Sequence, residues 1–111
     1  MKTLFVDFDN LTGSAYWEFA AGNWNNETYW CKDSIYIHDD ILFHSDFFDI
    51  VLGIIPNCDP LGNTKVSKEQ WEQIYKEAVS GGGPSAEIVR SAEFWVTENL
   101  QKHNAFYILG I

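Results

Sequence analysis

Basic residues are scarce in this chain. Its 111 residues include 7 Lys and Arg against 16 Asp and Glu, which gives a formal net charge of −9. Proteins bind phosphate backbones and anionic membrane surfaces through clustered Lys and Arg. The shortage argues against nucleic acid as a direct ligand and against a membrane as a partner, and it favours a basic protein instead.

Long hydrophobic runs and cysteines are few as well. The apolar run near the N-terminus, Leu4 to Val6, ends after three residues at Asp7. A signal peptide needs roughly 7–15 apolar residues and a membrane span about 20, so we expect a cytoplasmic protein. Cys31 and Cys58 are too few for a disulfide scaffold, and the sequence does not show whether they approach each other.

Apolar residues, by contrast, are plentiful. Hydrophobic residues make up 46 % of the chain and aromatic residues 16 %, which is enough to bury a core despite the charge. The length is close to the usual size of one domain. Since the chain shows no internal repeat and no linker, we expect a single domain over residues 1–111.

The first half of the chain favours short strands. Apolar alternation predicts the first strand over residues 2–9, and aromatic and β-branched residues predict more. The further predicted strands cover residues 15–19, 28–32, 34–38 and 41–43. Asp39-Asp40 is suited to a hairpin turn between the last two. Ser45 is a suitable N-cap for a short helix that Pro56 ends, and residues 56–66 are predicted to form the longest loop.

The second half predicts two longer helices and a final strand. Ser67 and Gln70 form a capping box, and Gly81 to Gly83 end the helix that it starts. The apolar stripe of that helix is Trp71, Ile74, Tyr75, Ala78 and Val79. A second helix begins at Pro84, and its buried face is Ile88, Val89, Ala92, Trp95, Val96 and Leu100. With a closing strand at residues 105–109, the fold class is α+β: a mainly antiparallel sheet with about three helices packed on one face.

One short segment is typical of an enzyme. Phe5-Val6-Asp7-Phe8-Asp9-Asn10-Leu11 resembles the first motif of haloacid-dehalogenase-like phosphatases and the opening of NYN-type nucleases. That resemblance implies a small metal-dependent phosphatase or nuclease that uses Asp7 and Asp9. Both families need an alternating β-α order and later acidic residues, and the last 30 residues contain no Asp. Catalysis at Asp7 and Asp9 is therefore kept as an alternative, and we expect no enzyme.

Metal and cofactor motifs are lacking. Cys31, His38, His44 and Cys58 are separated by six, five and thirteen residues, which matches no zinc-binding spacing. The glycines at 81–83 follow a helix and have no lysine among them, so they do not form a phosphate-binding loop. We expect neither a metal nor a cofactor.

The negative charge lies almost entirely in the first half. Residues 1–62 carry ten acidic residues against Lys2 and Lys32, a net charge of −8. The ten acidic residues are Asp7, Asp9, Glu18, Glu27, Asp33, Asp39, Asp40, Asp46, Asp49 and Asp59. Uncompensated like charge destabilises a compact state, so its retention indicates a use in binding. Trp24, which lies among asparagines in a predicted loop, is the best candidate for an aromatic contact.

Two segments of the second half are Lys65-Val66-Ser67-Lys68-Glu69-Gln70-Trp71 and Phe106-Tyr107-Ile108-Leu109-Gly110-Ile111. In these segments and in its overall character, the chain resembles the immunity proteins of contact-dependent growth inhibition. This resemblance implies a protein that neutralises a cognate basic toxin domain, commonly a nuclease, by covering its active site with an acidic, aromatic-rich surface. An acidic nucleic-acid mimic that inhibits another basic protein is an alternative. The predicted partner-binding residues are Trp24, Glu27, Tyr29, Asp33, Asp39, Asp40, Asp46, Phe47 and Asp49.

Overall fold

Five strands form one antiparallel sheet in the computed structural model, which describes residues 4–13, 15–24, 30–58 and 62–110. The order across the sheet is β1-β3-β2-β5-β4, so β2 and β5 are central. The strands are β1 (Phe5–Asp7), β2 (Tyr16–Ala20), β3 (Ile35–His38), β4 (Asn63–Ser67) and β5 (Ala105–Leu109). Every neighbouring pair is antiparallel, which confirms the predicted α+β class.

Four α-helices accompany the sheet. They are α1 (Asp39–Phe43), α2 (Phe47–Ile54), α3 (Lys68–Gly81) and α4 (Gly83–His103), and a 3₁₀ turn covers Phe8–Asn10. The capping box of α3 is present as predicted: the Ser67 hydroxyl accepts from the Gln70 N–H, and the Gln70 side chain accepts from the Ser67 N–H. Asn104 ends α4 in the left-handed conformation (φ 63°). Among the residues described, no helix is long and apolar enough to cross a membrane.

The main core lies between the sheet and the helices. Trp17 and Phe19 of β2 and Phe106 and Ile108 of β5 point to the same side because side chains alternate along a strand. Buried residues of the helices cover them: Leu42, Phe47, Val51, Trp71, Ile74, Ala78, Ile88, Val89, Ala92, Val96 and Leu100. The predicted apolar stripes of α3 and α4 supply most of this list.

Trp24, which follows β2, and Trp30, which precedes β3, cover part of the other face of the sheet. Trp24 packs on Tyr107 of β5 with ring centroids 5.3 Å apart, and Trp30 stacks on Tyr36 of β3 at 5.6 Å. Ala20 and Leu109 complete a small second cluster with Trp24. The sheet is therefore buried on both faces around its centre.

Several secondary-structure predictions are wrong. Asp39-Asp40 do not form a hairpin turn and residues 41–43 do not form a strand: all five residues belong to α1, because the His38 side chain and two acidic residues of the first turn favour a helix start at Asp39. The predicted loop at 56–66 contains most of β4, which is held in place by pairing with β5 along its whole length. Of the strand predicted at 28–32, residues 28 and 29 lie outside the described residues, and Trp30 is left-handed (φ 64°), not extended.

Candidate functional site

The junction between β3 and α1 places two carboxylates at the surface. Nδ1 of His38 accepts a hydrogen bond from the backbone N–H of Asp40 at 3.1 Å, which caps α1. Asp39 and Asp40 therefore occupy the first turn of the helix. Nδ1 of His38 also lies 3.2 Å from Oδ1 of Asp39 and 3.8 Å from Oδ2 of Asp40.

A tight turn then joins α1 to α2. The Ser45 hydroxyl donates to the carbonyl of Leu42 at 2.7 Å and accepts from the N–H of Phe47 at 3.2 Å. Asp46 stands at the N-cap position, where Ser45 was predicted, and its carboxylate accepts a hydrogen bond from the Ser85 hydroxyl near the start of α4. These bonds fix α1 and α2 at a defined angle to each other and to α4.

We call Asp39, Asp40, Asp46 and Asp49 the acidic corner: Asp39 and Asp40 begin α1, Asp46 is the N-cap of α2, and Asp49 lies in the first turn of α2. Asp40, Asp46 and Asp49 are exposed, and Asp39 is half-buried. The sequence has no Lys or Arg between Lys32 and Lys65. Within the described part of the chain, the only ion pairs are those that His38 can form when it is protonated. Among the described residues, no lysine or arginine forms an ion pair with the acidic corner, although Lys76 of α3 lines the same groove as Asp49.

His38, Asp39 and Asp40 also form the one group of potential metal ligands among the described residues, with ligand atoms within 4.8 Å of one another. Nδ1 of His38 is already the acceptor for the Asp40 N–H. Its lone pair is therefore engaged in capping α1, and the cluster is explained by local helix geometry.

Two of the predicted aromatic contacts are wrong. Trp24 is buried against Tyr107, because the chain after β2 folds its indole ring onto the sheet. Phe47 is buried on the core side of α2, 6.4 Å from the ring of Phe19. Neither ring is presented at the surface. Glu27 and Tyr29 lie outside the described residues.

Asp33 is exposed but does not belong to the acidic corner. It precedes β3, whereas Asp39 follows that strand, so the two lie at opposite ends of it. The carbonyl of Asp33 accepts a hydrogen bond from the indole N–H of Trp95 at 3.0 Å, which attaches this end of the strand to α4.

Glu18 is the residue that sequence reasoning misplaced, because it was counted with the surface acids. It lies in the middle of β2 and is fully buried. Its carboxylate accepts three hydrogen bonds: from the N–H of Trp30 at 2.6 Å, the N–H of Cys31 at 3.0 Å and the hydroxyl of Ser34 at 2.6 Å. A charged residue inside the apolar run Tyr16–Ala20 was the available signal, because such a residue needs partners when it is buried.

The Glu18 carboxylate changes the chemistry of its neighbours. Burial, followed by the negative charge of Glu18, raises the pKa of the Cys31 thiol. The same two causes raise the pKa of the Tyr36 hydroxyl, which donates a hydrogen bond to the carbonyl of Cys31. Cys31 and Cys58 are both thiols in the structure and do not form a disulfide. A thiol with a raised pKa is a poor nucleophile, so this cluster favours a structural role.

The environment of Asp7 and Asp9 does not match the hydrolase alternative. That alternative places carboxylates at the ends of parallel strands, whereas β1 is an edge strand antiparallel to β3. Both aspartates are exposed, and Asp7 accepts a hydrogen bond from the side chain of Asn10 at 2.5 Å. Among the described residues, neither aspartate belongs to a group of potential metal ligands.

A groove of about 360 Å³ lies between α3 and α4, with Trp71 and Leu100 among its lining residues. Tyr75 of α3 donates a hydrogen bond to Glu93 of α4 across it at 2.6 Å. Lys68 and Glu72 also line the groove, so charges of both signs are present.

Comparisons of the chain with protein-family models, with curated proteins and with solved structures find no match. The choice of candidate site therefore depends on geometry and charge. The acidic corner is the region where exposed charge and a rigid scaffold coincide.

Proposed function

We propose that the chain is a cytoplasmic binding protein of the immunity type, which neutralises a cognate basic toxin domain through the acidic corner. The observation that carries the proposal is the set of four surface carboxylates with no Lys or Arg within residues 33–64. Such a field attracts a positively charged surface and repels nucleic acid and anionic lipid.

The target in this proposal is a nuclease domain with a basic substrate groove. Carboxylates at the corner take the positions that phosphates would occupy, and the body of the protein then covers the groove. Complementary charge raises association rate constants from about 10⁵–10⁶ to about 10⁸–10⁹ M⁻¹s⁻¹ at low salt. Fast capture is useful against an enzyme that damages nucleic acid with every turnover.

Rigidity supports the same proposal. The hydrogen bonds of His38, Ser45 and Asp46 hold the corner in place without a partner. A surface that is ordered before binding loses less conformational entropy when the complex forms.

The test first isolates the basic protein that this chain retains in a pull-down from its native locus, and then uses the toxin domain of that protein in a catalytically inactive form. Asp39, Asp40, Asp46 and Asp49 are replaced together by Asn, which keeps the acceptor oxygen that Asp46 offers to Ser85. We expect the association rate constant at low salt to fall at least about 10-fold, and its salt dependence to weaken. Stopped-flow fluorescence measures both.

The matched control replaces Glu69, Glu72, Glu87 and Glu98 of α3 and α4 by Gln, which removes the same net charge elsewhere. We expect this variant to associate at close to the wild-type rate. An equal loss of rate in both variants would show that net charge, and not the corner, governs binding. If the wild-type chain does not bind the toxin domain or protect nucleic acid from its active form, the proposed function is wrong.

A further inference from the structure

Large apolar side chains are exposed at three positions in the described part of the chain. They are Phe43 (67 % exposed), Leu52 (38 %) and Phe94 (77 %). Phe43 and Leu52 belong to α1 and α2, the helices of the acidic corner, whereas Phe94 lies on α4. Exposed apolar surface with a polar rim is typical of a protein contact.

The rings around Phe43 form a row that is anchored in the core. Trp17 of β2 is buried, and its ring lies 6.4 Å from Phe43 at an interplanar angle of 86°. The other neighbour of Trp17 is Phe48 of α2, at 4.8 Å and 68°. Leu52 follows Phe48 by one helical turn, on the same side of α2. We call Phe43, Phe48 and Leu52 the apolar ridge.

The packing of α1 does not require an apolar residue at position 43. Leu42 is buried and Ile41 is half-buried, so these two side chains attach the helix to the core. Phe43 packs edge-on against Trp17 but remains 67 % exposed. Its exposed area therefore gains nothing from folding and is available for a contact.

We infer that the apolar ridge is the anchor of the interface, with Phe43 inserted into an apolar pocket of the partner that is surrounded by Lys and Arg. The inference rests on the proposed function for the sign of the partner's charge. Asp39 and Asp40 precede Phe43 on α1, whereas Asp49 of α2 lines the groove toward α3 together with Lys76. The Phe43 end of the ridge is therefore flanked by acidic residues, and a pocket that receives it needs a basic rim.

The charge of the acidic corner also indicates which kind of molecule covers the apolar ridge. A second copy of this chain would bring four carboxylates against four others, and an anionic lipid surface would be repelled in the same way. A basic protein brings opposite charge to these carboxylates and apolar area to the ridge. In such an arrangement the carboxylates determine the association rate constant, whereas the Phe43 ring, buried in the partner, determines the dissociation rate constant.

The first experiment compares Phe43→Ala with Phe94→Ala in binding to the toxin domain described above. Both remove one exposed phenylalanine ring from a helix, and thermal unfolding checks that both variants fold. We expect Phe43→Ala to weaken affinity at least about 30-fold, as a central aromatic anchor does, mainly through faster dissociation. Phe94→Ala should bind within about 2-fold of the wild type. If the two variants bind alike, the ridge is not the anchor, although the proposed function stands.

The second experiment is independent of any toxin. A phage-displayed library of random 12-residue peptides is selected on the wild-type chain and then tested on both variants. We expect enriched peptides to combine Lys or Arg with apolar residues and to lose binding to Phe43→Ala but not to Phe94→Ala. Acidic or uncharged peptides, peptides that bind Phe43→Ala equally well, or no enrichment would overturn the inference. So would a wild-type dimer in sedimentation velocity that Phe43→Ala abolishes, because the occupant would then be a second copy.

Discussion

The buried carboxylate of Glu18 accepts a hydrogen bond from the backbone N–H of Trp30 at 2.6 Å, across twelve positions of sequence. The bond joins the central strand β2 to a residue that covers part of the outer face of the sheet. Cys31 and Ser34 also donate hydrogen bonds to Glu18. This one side chain therefore fixes the position of residues 30–34, which lead into β3. Glu18 is thus buried within the scaffold, where its hydrogen bonds connect β2 to the chain before β3, and it is not part of the exposed acidic surface.

Glu18→Gln tests this role. Gln has nearly the same size, but its NH₂ group replaces one of the two acceptor oxygens and faces a donor. We expect the free energy of unfolding to fall by about 2 kcal/mol or more, since hydrogen bonds to a buried charged group are worth about 1.5–3 kcal/mol. Urea unfolding measures the change. Glu72→Gln, on the exposed face of α3, is the control and should leave the stability within about 0.5 kcal/mol.

Stability should also fall at alkaline pH. The pKa values of Cys31 and Tyr36 are raised in the folded state. The unfolded chain therefore loses these two protons at lower pH than the folded chain. Linkage then predicts that the free energy of unfolding is constant with respect to these groups below about pH 8, and decreases as pH rises through about 9 to 11.

Denaturant unfolding between pH 7 and pH 10.5 measures this slope. Tyr36→Phe removes one of the two groups, so its stability should be lower at neutral pH, through loss of the bond to Cys31, but should decline less steeply with pH. A wild-type stability that is unchanged up to pH 10.5 would contradict the prediction.

Gly22 and Gly53 are expected to respond oppositely to replacement by alanine. At Gly22 a Cβ atom would overlap the carbonyl oxygen of Ala105 and the Cβ of His103. Overpacking of this kind costs about 1–3 kcal/mol or more, because the end of α4 must move. At Gly53, within α2, nothing lies within 4 Å of an added Cβ, and alanine should stabilise the helix by about 0.5–1 kcal/mol. Thermal unfolding of both variants shows directly whether each substitution raises or lowers the stability.

The second half of the fold was predictable because its signals are local. Ser67 and Gln70 cap a helix within four residues, and the apolar spacing from Trp71 onward defines a single buried stripe. Residues 41–43 were assigned to the wrong state because three apolar residues fit a strand and a helix equally. Only the capping by His38, which depends on side-chain orientation, decides between the two.

Of the candidate site, the sequence predicted only the local grouping of its acids. Asp39, Asp40, Asp46 and Asp49 all lie within residues 39–49, and the structure places them on the consecutive helices α1 and α2. The burial of Trp24 depends instead on Tyr107, more than eighty residues later, and no local pattern reports such a contact. Phe43 was missed for the related reason that its environment depends on α1, which the sequence pattern did not indicate.

The position of β5 in the sheet also constrains how the chain is made. Residues 105–109 lie between β2 and β4, so until they are synthesised β2 is paired only with β3 and β4 has no partner strand. During translation, β2 and β3 leave the ribosome with one long edge open, and β4 emerges with no neighbour at all. An unpaired strand edge of this kind can form hydrogen bonds with strands of other chains. Ribosome stalling before residue 105 should therefore yield a nascent chain that is prone to aggregation and sensitive to proteases, and only the arrival of the last strand closes the sheet.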